Sequence, residues 1–242
     1  MNRPFAIYPD SFDGNTLGYW RFGEAGGRLA GPIGPTLAAG GSPTSLEDGY
    51  RFDGGGEYLG GAFAGEPSRA ALTMEMWIRG WATAAGTLGA AAEYRKVSPL
   101  ILLRALRHAT PASSYILGQY YDGTLYSAQW TGAAADAILV GLAPWHVAVV
   151  MANGSPLRLF VNGGLVASSG ANVAIDASAG DYTLRVGQRT DGSNPAACII
   201  DEARLSGAAR YGGAFSIARS GEGRLAVARG PGLDGLFAGV AA

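Results

Sequence analysis

Short segments in which apolar and polar residues alternate fill the central part of the chain, and turn residues separate them. In LTMEMWIRG, residues 72–80, the apolar side chains of Leu72, Met74, Met76 and Ile78 occupy every second position. Successive side chains of a β-strand point to opposite faces, so this pattern predicts a strand with one face in a core. The 39 glycines and 12 prolines of the chain punctuate many such segments, which favours an all-β sandwich or barrel.

Glycine-containing dipeptides mark the predicted hairpins. In SYILGQYYDGTLYSAQW, residues 114–130, two strands surround Asp122-Gly123, and glycine adopts the positive φ angle of a tight turn without steric cost. Further turns are predicted at Asn153-Gly154 and Asn162-Gly163, and further strands within residues 144–169, 182–189 and 198–206.

Helical patterns are scarce, and the chain divides into one central domain with two flanking segments. The run KVSPLILLRALRHA, residues 96–109, fits either a helix interrupted by Pro99 or a buried strand, because periodicity does not separate the two at this length. We expect residues 1–16 to form an N-terminal arm, residues 17–217 the domain, and residues 218–242 a glycine-rich C-terminal tail.

The charge balance and the single cysteine exclude several function classes. With 18 basic and 19 acidic residues, the net charge is -1, so no overall field favours nucleic acid or an anionic membrane. We expect neither a nucleic-acid partner nor membrane insertion, since no run of 18 apolar residues is present. Cys198 has no partner for an internal disulfide, and its apolar surroundings predict a small buried side chain.

Six segments occur in a recognisable order. They are LGYWRFGE (17–24), YRFDGGGEYL (50–59), LTMEMWIRG (72–80), WHVAVVMANGSPLRLFVNGGLVASS (145–169), LRVGQR (184–189) and IDEARLS (200–206). This order resembles the laminin-G-like, concanavalin A-like jelly-roll family across residues 17–217. The resemblance implies a two-sheet antiparallel jelly-roll sandwich.

The ending IDEARLSGAARYGGAF narrows the resemblance. It is similar to the ending of laminin-G-like modules in tailed-bacteriophage virion proteins, with Ala209, Arg210, Tyr211 and Phe215 at the matching positions. The Pro-Pro that follows in that family is replaced here by SIARS. The resemblance implies a non-enzymatic virion protein, either a head decoration or a tail-associated subunit. Such a protein is made in the host cytoplasm without a signal peptide and is localised to the virion.

Apolar side chains in the C-terminal tail favour docking onto a neighbouring subunit. The predicted docking residues are Leu225, Val227, Leu233, Leu236 and Phe237, which contact with another chain would bury. The expected partners are other virion structural proteins and further copies of this chain in a homo-oligomer.

The adjacent carboxylates Asp201 and Glu202 raise the question of catalysis. Glycoside hydrolysis needs two carboxylates that face one bond at roughly 5–10 Å separation. Neighbouring residues on a strand point to opposite faces, and Glu75 has no acidic residue two positions away. The spacing therefore disfavours a glycosidase, and we expect no catalytic residue and no enzymatic activity. His146 lies in an apolar strand, where a structural role is expected.

The jelly-roll resemblance also implies a structural calcium ion, held by Asp201 with Asp53 and Glu24 and with carbonyls of the Gly54-Gly55-Gly56 turn. Calcium binds six to eight hard oxygens of this kind. The alternative is a chain without a cofactor, in which Asp201 accepts backbone hydrogen bonds and Glu202 pairs with an arginine such as Arg204.

Aromatic residues around the Asp122 hairpin suggest a second function, the binding of host-surface glycans. Aromatic rings stack on sugar rings, and neighbours such as Gln119 and Gln129 hydrogen-bond hydroxyl groups. The candidate residues are Tyr120, Tyr121, Tyr126 and Trp130. The alternation places Tyr120 and Tyr121 on opposite faces, so part of this group is expected to fill the core. A lectin-type module without a virion role is the alternative function.

Overall fold

The computed structural model describes residues 14–22, 34–46, 49–81, 86, 88–96, 99–141, 143–175, 178–215, 217–219 and 225–227. In chain order the strands are β1 (Thr16–Arg21), β2 (Ala38–Gly40), β3 (Thr44–Leu46), β4 (Gly49–Asp53), β5 (Tyr58–Glu66), β6 (Ala71–Arg79), β7 (Leu88–Arg95), β8 (Pro99–Leu106), β9 (Tyr115–Tyr121), β10 (Leu125–Thr131), β11 (Trp145–Ala152), β12 (Pro156–Val161), β13 (Gly164–Asn172), β14 (Gly180–Val186), β15 (Ala197–Ser206), β16 (Ile217–Arg219) and β17 (Leu225–Val227). The α-helix α1 (Ala133–Val140) lies between β10 and β11, and a short 3-10 helix spans Pro111–Ser113.

The strands form two antiparallel sheets that pack face to face. Sheet A has eight strands within the described residues, in the order β13-β12-β11-β6-β15-β4-β3, with β1 also paired to β15. Sheet B has seven strands in the same part of the chain, in the order β10-β9-β8-β7-β14-β5-β2. Strands β16 and β17 pair with each other as a separate two-stranded sheet. The predicted all-β jelly-roll sandwich is therefore confirmed.

The core lies between the two sheets, where inward-facing side chains of most strands are buried. Trp20, Trp81, Tyr94 and Tyr120 are its largest fully buried side chains. Cys198 is 3% exposed in the same core, and burial raises the pKa of its thiol. The prediction of a small buried cysteine is confirmed.

The predicted hairpin turns are present. Gly123 has a φ angle of 106° between β9 and β10, while Asn162 and Gly163 have φ angles of 47° and 78° between β12 and β13. Both residues of the second turn are thus left-handed, as a two-residue hairpin requires. The ambiguous run at 96–109 contains a strand, β8. Helix α1 was not predicted, although it is an alanine-rich run bounded by Gly132 and Gly141.

Residues 207–215, which we call the C-terminal strap, cross the outer face of sheet A. The Thr73 hydroxyl donates to the Ala208 carbonyl at 2.7 Å, and the Phe215 amide donates to the Gly163 carbonyl at 2.9 Å. The strap encloses a second apolar cluster outside the main core, formed by Ala148, Val150, Phe160, Tyr211 and Phe215. The ending that resembles phage modules therefore covers this face of the sheet.

Several predicted segments fall partly outside the described residues. Among the candidate residues, Glu24, Leu233, Leu236 and Phe237 lie outside them, as do residues 1–13 of the predicted arm. Leu225 and Val227 are the ends of β17. Within the described part of the chain, no helix has the length and apolar character needed to cross a membrane.

Candidate functional site

The adjacent carboxylates Asp201 and Glu202 lie at a β-bulge. The register of β15 against β6 shifts between Ile200 and Glu202, so Asp201 is the extra residue. The core-facing residues of β15 include Ile200 and then Ala203, and the simple alternation is broken between them. The prediction that the two carboxylates point to opposite faces was wrong for this reason: neither side chain belongs to the core.

Glu202 is engaged in an ion pair rather than exposed in a cleft. Its Oε1 lies 3.5 Å from Arg21 Nε, and its side chain is 13% exposed. Burial raises the pKa of Glu202, and Arg21 opposes that effect. The Asp201 carbonyl accepts a hydrogen bond from the Phe22 amide at 2.6 Å. An arginine partner for Glu202 was expected, but Arg21 takes the place proposed for Arg204.

Arg204 instead pairs with Glu75, at the centre of a buried polar network beneath the strap. Arg204 Nε donates to Glu75 Oε1 at 2.5 Å, and the Tyr211 hydroxyl donates to Glu75 Oε2 at 2.7 Å. His146 Nε2 lies 2.9 Å from the same Oε2. Burial alone raises the pKa of Glu75, but Arg204 and His146 outweigh it and hold this pKa well below its usual range.

This network cannot act on a substrate from solution. Glu75 is 3% exposed and His146 is 1% exposed, and the strap covers them with stacked rings of Tyr211 and Phe215 whose centroids are 3.6 Å apart. The expected structural role of His146 agrees with this burial.

A second buried carboxylate, that of Glu93 on β7, is also engaged in hydrogen bonds and an ion pair within the protein. It accepts hydrogen bonds from the Thr190 amide at 2.6 Å and the Thr190 hydroxyl at 2.5 Å. Arg189 Nε lies 3.2 Å from Glu93 Oε1. Glu93 is fully buried and anchors the loop that follows β14, so it is not available as a general acid or base.

Two of the residues expected to hold calcium, Asp53 and Asp201, lie apart along the same sheet. Asp53 lies opposite Ala197 on β15, and Asp201 is four positions further along that strand, which places the two backbones about 13 Å apart. In the part of the chain that the structure describes, no group of three or more acidic, histidine or cysteine side chains could hold a metal ion, and the third expected ligand, Glu24, lies outside that part. Asp53 instead accepts the Gly55 amide at 2.6 Å. A hydrogen bond with Glu57 lowers the pKa of Asp53.

The structure divides the candidate aromatic residues between the core and the surface. Tyr120 is fully buried, and Tyr126 and Trp130 pack against the core as well. Their rings therefore face the interior of the sandwich and are not presented to a ligand. Tyr121 faces the other way and is 38% exposed, so it alone of the four lies on the outer face of sheet B.

The outer face of sheet B combines an apolar floor with polar and aromatic groups. Leu102 on β8 and Leu117 on β9 are buried outside the main core cluster, because alternation turns them away from the sandwich interior. Tyr121 lies opposite Leu125 on β10, and Leu125 is 60% exposed. These two adjacent side chains form an exposed apolar patch next to the floor.

Amide side chains lie beside this patch. Gln119 is opposite Leu102 and Ser127, and Gln129 is opposite Leu117. Gln119 Nε2 donates to the Ser127 hydroxyl at 3.1 Å. Aromatic and apolar surface next to fixed amide groups is the arrangement that stacks on a sugar ring and hydrogen-bonds its hydroxyl groups.

Two arginines complete the face. Arg104 on β8 lies opposite Leu117, and the Arg185 guanidinium on β14 stacks over the Tyr58 ring at 3.8 Å. Neither arginine was selected from the sequence. The alternation of LILLRAL in β8 was the available signal, because it places Arg104 on the face opposite Ile101 and Leu103, but the segment was also compatible with a helix.

Comparison with known proteins gives one family match. The model of the concanavalin A-like lectin/glucanases superfamily matches residues 53–212, more than half of the chain. No curated protein matches the sequence.

Solved structures with the same fold have little sequence identity to this chain. The binding domain of botulinum neurotoxin serotype D is 12% identical with a TM-score of 0.59, and the match covers 81% of this chain and 48% of that one. A botulinum neurotoxin type C structure is 9% identical with a TM-score of 0.53, with the same coverage of 81% and 48%. This chain thus spans about half the length of those toxin chains. Tailspike protein 2 of the Escherichia coli O157:H7 bacteriophage CAB120 is 13% identical with a TM-score of 0.49, covering 71% of this chain and 24% of that one.

Proposed function

Because the chain belongs to the concanavalin A-like lectin/glucanases superfamily, we propose that it is a non-enzymatic carbohydrate-binding module whose ligand lies on the outer face of sheet B. The observation that carries the proposal is the exposed pair Tyr121 and Leu125 on the same face as the exposed amide of Gln129. Such a surface supplies a stacking platform and hydrogen-bonding groups within two neighbouring strands.

The state of the carboxylates supports the non-enzymatic part of the proposal. Glu75 and Glu93 are buried and saturated with hydrogen bonds, and Glu202 is paired with Arg21. A glycosidase needs one carboxyl group to protonate the leaving group and a second to act as base or nucleophile. Neither Glu75 nor Glu93 is accessible for these steps.

The fold supports a glycan ligand by analogy alone. Cell entry of botulinum neurotoxin type C depends on interaction with two ganglioside molecules, so a glycolipid is bound by a protein of related fold.

Binding to a glycan array with the purified protein tests the proposal. We expect saturable binding to a subset of glycans, and Tyr121→Ala should weaken it about tenfold or more, because the variant loses the stacking surface. Leu165→Ala is the matched control, since Leu165 is 47% exposed on β13 of the other sheet. The absence of glycan binding, or equal affinity in the wild type and Tyr121→Ala, would contradict the proposed site.

We also propose that this module is displayed on a bacteriophage particle, as a head decoration or tail-associated subunit among other virion proteins. The supporting observation is the order of residues from Asp201 to Phe215, which is similar to the ending of virion modules. A displayed glycan-binding module and a virion subunit are compatible roles. The test is the presence of the chain in purified particles from the native source.

A further inference from the structure

We infer that the glycan bound by the outer face of sheet B is acidic and that Arg104 binds its anionic group. This inference rests on the proposed function, because it names the class of ligand for the same face. The anionic group is an oxyanion attached to a sugar, either the carboxylate of a uronic or sialic acid or a sulfate or phosphate ester.

The position of Arg104 places its side chain on the binding face. Ile101, Leu103 and Ala105 of β8 belong to the main core, so Arg104 between the last two points outward. It lies opposite Leu117, which in turn lies opposite Gln129. Arg104 therefore lies on the outer face of sheet B, in the same row as Gln129, the exposed amide proposed to bind sugar hydroxyls.

Arg104 has no protein partner within the described residues. It makes no hydrogen bond and no ion pair there, and its Nε atom is buried without an acceptor. A partly buried guanidinium loses part of its hydration, and without an anionic partner no favourable interaction offsets this desolvation cost. Arg104 therefore lacks an anionic hydrogen-bond acceptor. The group that fits a guanidinium best is an oxyanion that presents two oxygen atoms to it, as a carboxylate does.

Other arginines of the chain form ion pairs with carboxylates. Arg189 on the same side of sheet B lies 3.2 Å from Glu93 and 3.2 Å from Asp191, and Arg69 lies 2.8 Å from Glu66. Arg104 differs from these residues because no described carboxylate lies within ion-pair distance of it.

Another arginine, Arg189, lies close enough to Arg104 to interact with it electrostatically. Burial and the neighbouring Arg189 lower the pKa of Arg104, while Tyr115 opposes this effect. The Arg185 guanidinium donates to the Arg189 carbonyl at 3.1 Å, and its Nε atom is also buried without an acceptor. A negatively charged sugar would supply the anion that Arg104 lacks, whereas a neutral sugar would not.

The inference is tested with pairs of oligosaccharides that differ only in charge. Oligogalacturonate is compared with its methyl ester, 3′-sialyllactose with lactose, and a sulfated oligosaccharide with its desulfated form. We expect the acidic member of at least one pair to bind ten times or more tighter, with an affinity that falls as salt is added. The pairs also distinguish a carboxylate from a sulfate ester as the group that is recognised.

Arg104→Gln should abolish the preference for the acidic member and leave residual binding of the neutral member unchanged. Arg51→Gln is the matched control, because Arg51 is an exposed arginine on β4 of sheet A. Thermal unfolding of each variant checks the fold, and we expect no loss of stability in Arg104→Gln, since it removes an unpaired charge.

The outcomes separate this inference from the proposed function. If only neutral glycans bind, or if Arg104→Gln keeps the full acidic preference, the inference is overturned while the carbohydrate-binding function stands. If the array and all pairs give no binding, the proposed function fails and the inference fails with it.

Discussion

Among the carboxylates, Glu75 is the one whose replacement should lower the free energy of unfolding most. Its replacement by glutamine leaves the Arg204 guanidinium without the anion that lies 2.5 Å away, inside a region that the strap closes from water. Breaking a buried ion pair from one side costs about 3–5 kcal/mol. We therefore expect Glu75→Gln to lower the free energy of unfolding by about that amount at pH 7, measured by urea denaturation.

The same variant should change how stability depends on pH. The pKa of Glu75 is lowered in the folded protein, whereas in the unfolded chain it lies near 4.3. The unfolded chain therefore takes up a proton first as pH falls, so the stabilisation by Glu75 is present above about pH 5 and is lost progressively below it. We expect the wild type to lose stability between pH 5 and pH 3 more steeply than Glu75→Gln.

Glu202→Gln is the control for this prediction. Its carboxylate is paired with Arg21 at a longer distance of 3.5 Å, and burial raises its pKa, so the charged form is less well stabilised than in Glu75. We expect a loss below about 1 kcal/mol. Equal losses in Glu75→Gln and Glu202→Gln would contradict the central role given to Glu75.

The sequence alone identifies some of these residues but not their partners. The burial of His146 was predictable because it lies within an apolar strand. The partners of Glu75 were not, because Arg204 and Tyr211 are 129 and 136 positions away in the chain. The orientation of the Asp201 and Glu202 side chains was predicted wrongly for a local reason. A β-bulge inserts one residue and changes which side chains face the core, and no residue in the sequence IDEAR indicates that insertion.

At the scale of elements, the C-terminal strap acts as a cover for sheet A. Tyr211 and Phe215 stack on each other and enclose Phe160 and the Glu75 network. Only the resemblance to phage modules drew attention to these two residues, and in the structure they pack over sheet A. The burial of such strap residues cannot be predicted from alternating apolar and polar positions, because residues 207–215 form no strand.

We expect Phe215→Ala to destabilise the protein by about 3–5 kcal/mol, since it removes a buried ring from a packed cluster. Tyr211→Phe keeps the ring and removes the hydroxyl that bonds Glu75, so a smaller loss of about 1–3 kcal/mol is expected. Urea denaturation measures both losses, and Leu165→Ala on the exposed part of β13 provides a near-neutral control. A loss below about 0.5 kcal/mol in Phe215→Ala would show that the strap is dispensable for stability.

Alternation and turn chemistry predicted most of the strands because each signal is local. The hairpins at Asp122-Gly123 and Asn162-Gly163 are defined by a few residues and occur where expected. The binding face was only partly predictable, since it combines β8, β9 and β10 with β14. The pairing of β14 with β7 brings Arg185 into this sheet, and the pairing of β14 with β5 brings Tyr58 beside it. Tyr121 was identified from its neighbours in sequence, and Arg104 required knowledge that β8 is a strand.

At the scale of the whole molecule, the two sheets and the strap form a closed unit to which the last described strands do not belong. Strands β16 and β17 pair with each other and with neither sheet A nor sheet B in the described residues. The strap ends before them, at Phe215. If the C-terminal segment docks on a partner as proposed, a deletion of that segment should remove attachment and leave the two main sheets in place.

Deletion of residues 224–242 tests the proposed virion role on this basis. We expect the circular dichroism spectrum of the truncated protein to be unchanged and its Tm to stay within about 2 °C of the wild type, because no described contact of the two main sheets is removed. If the C-terminal segment docks the module onto a particle, the truncated chain should be missing from purified virions while still binding glycans. Incorporation of the truncated chain at wild-type levels would assign attachment to another surface, and absence of the full chain from all particles would contradict the virion role itself.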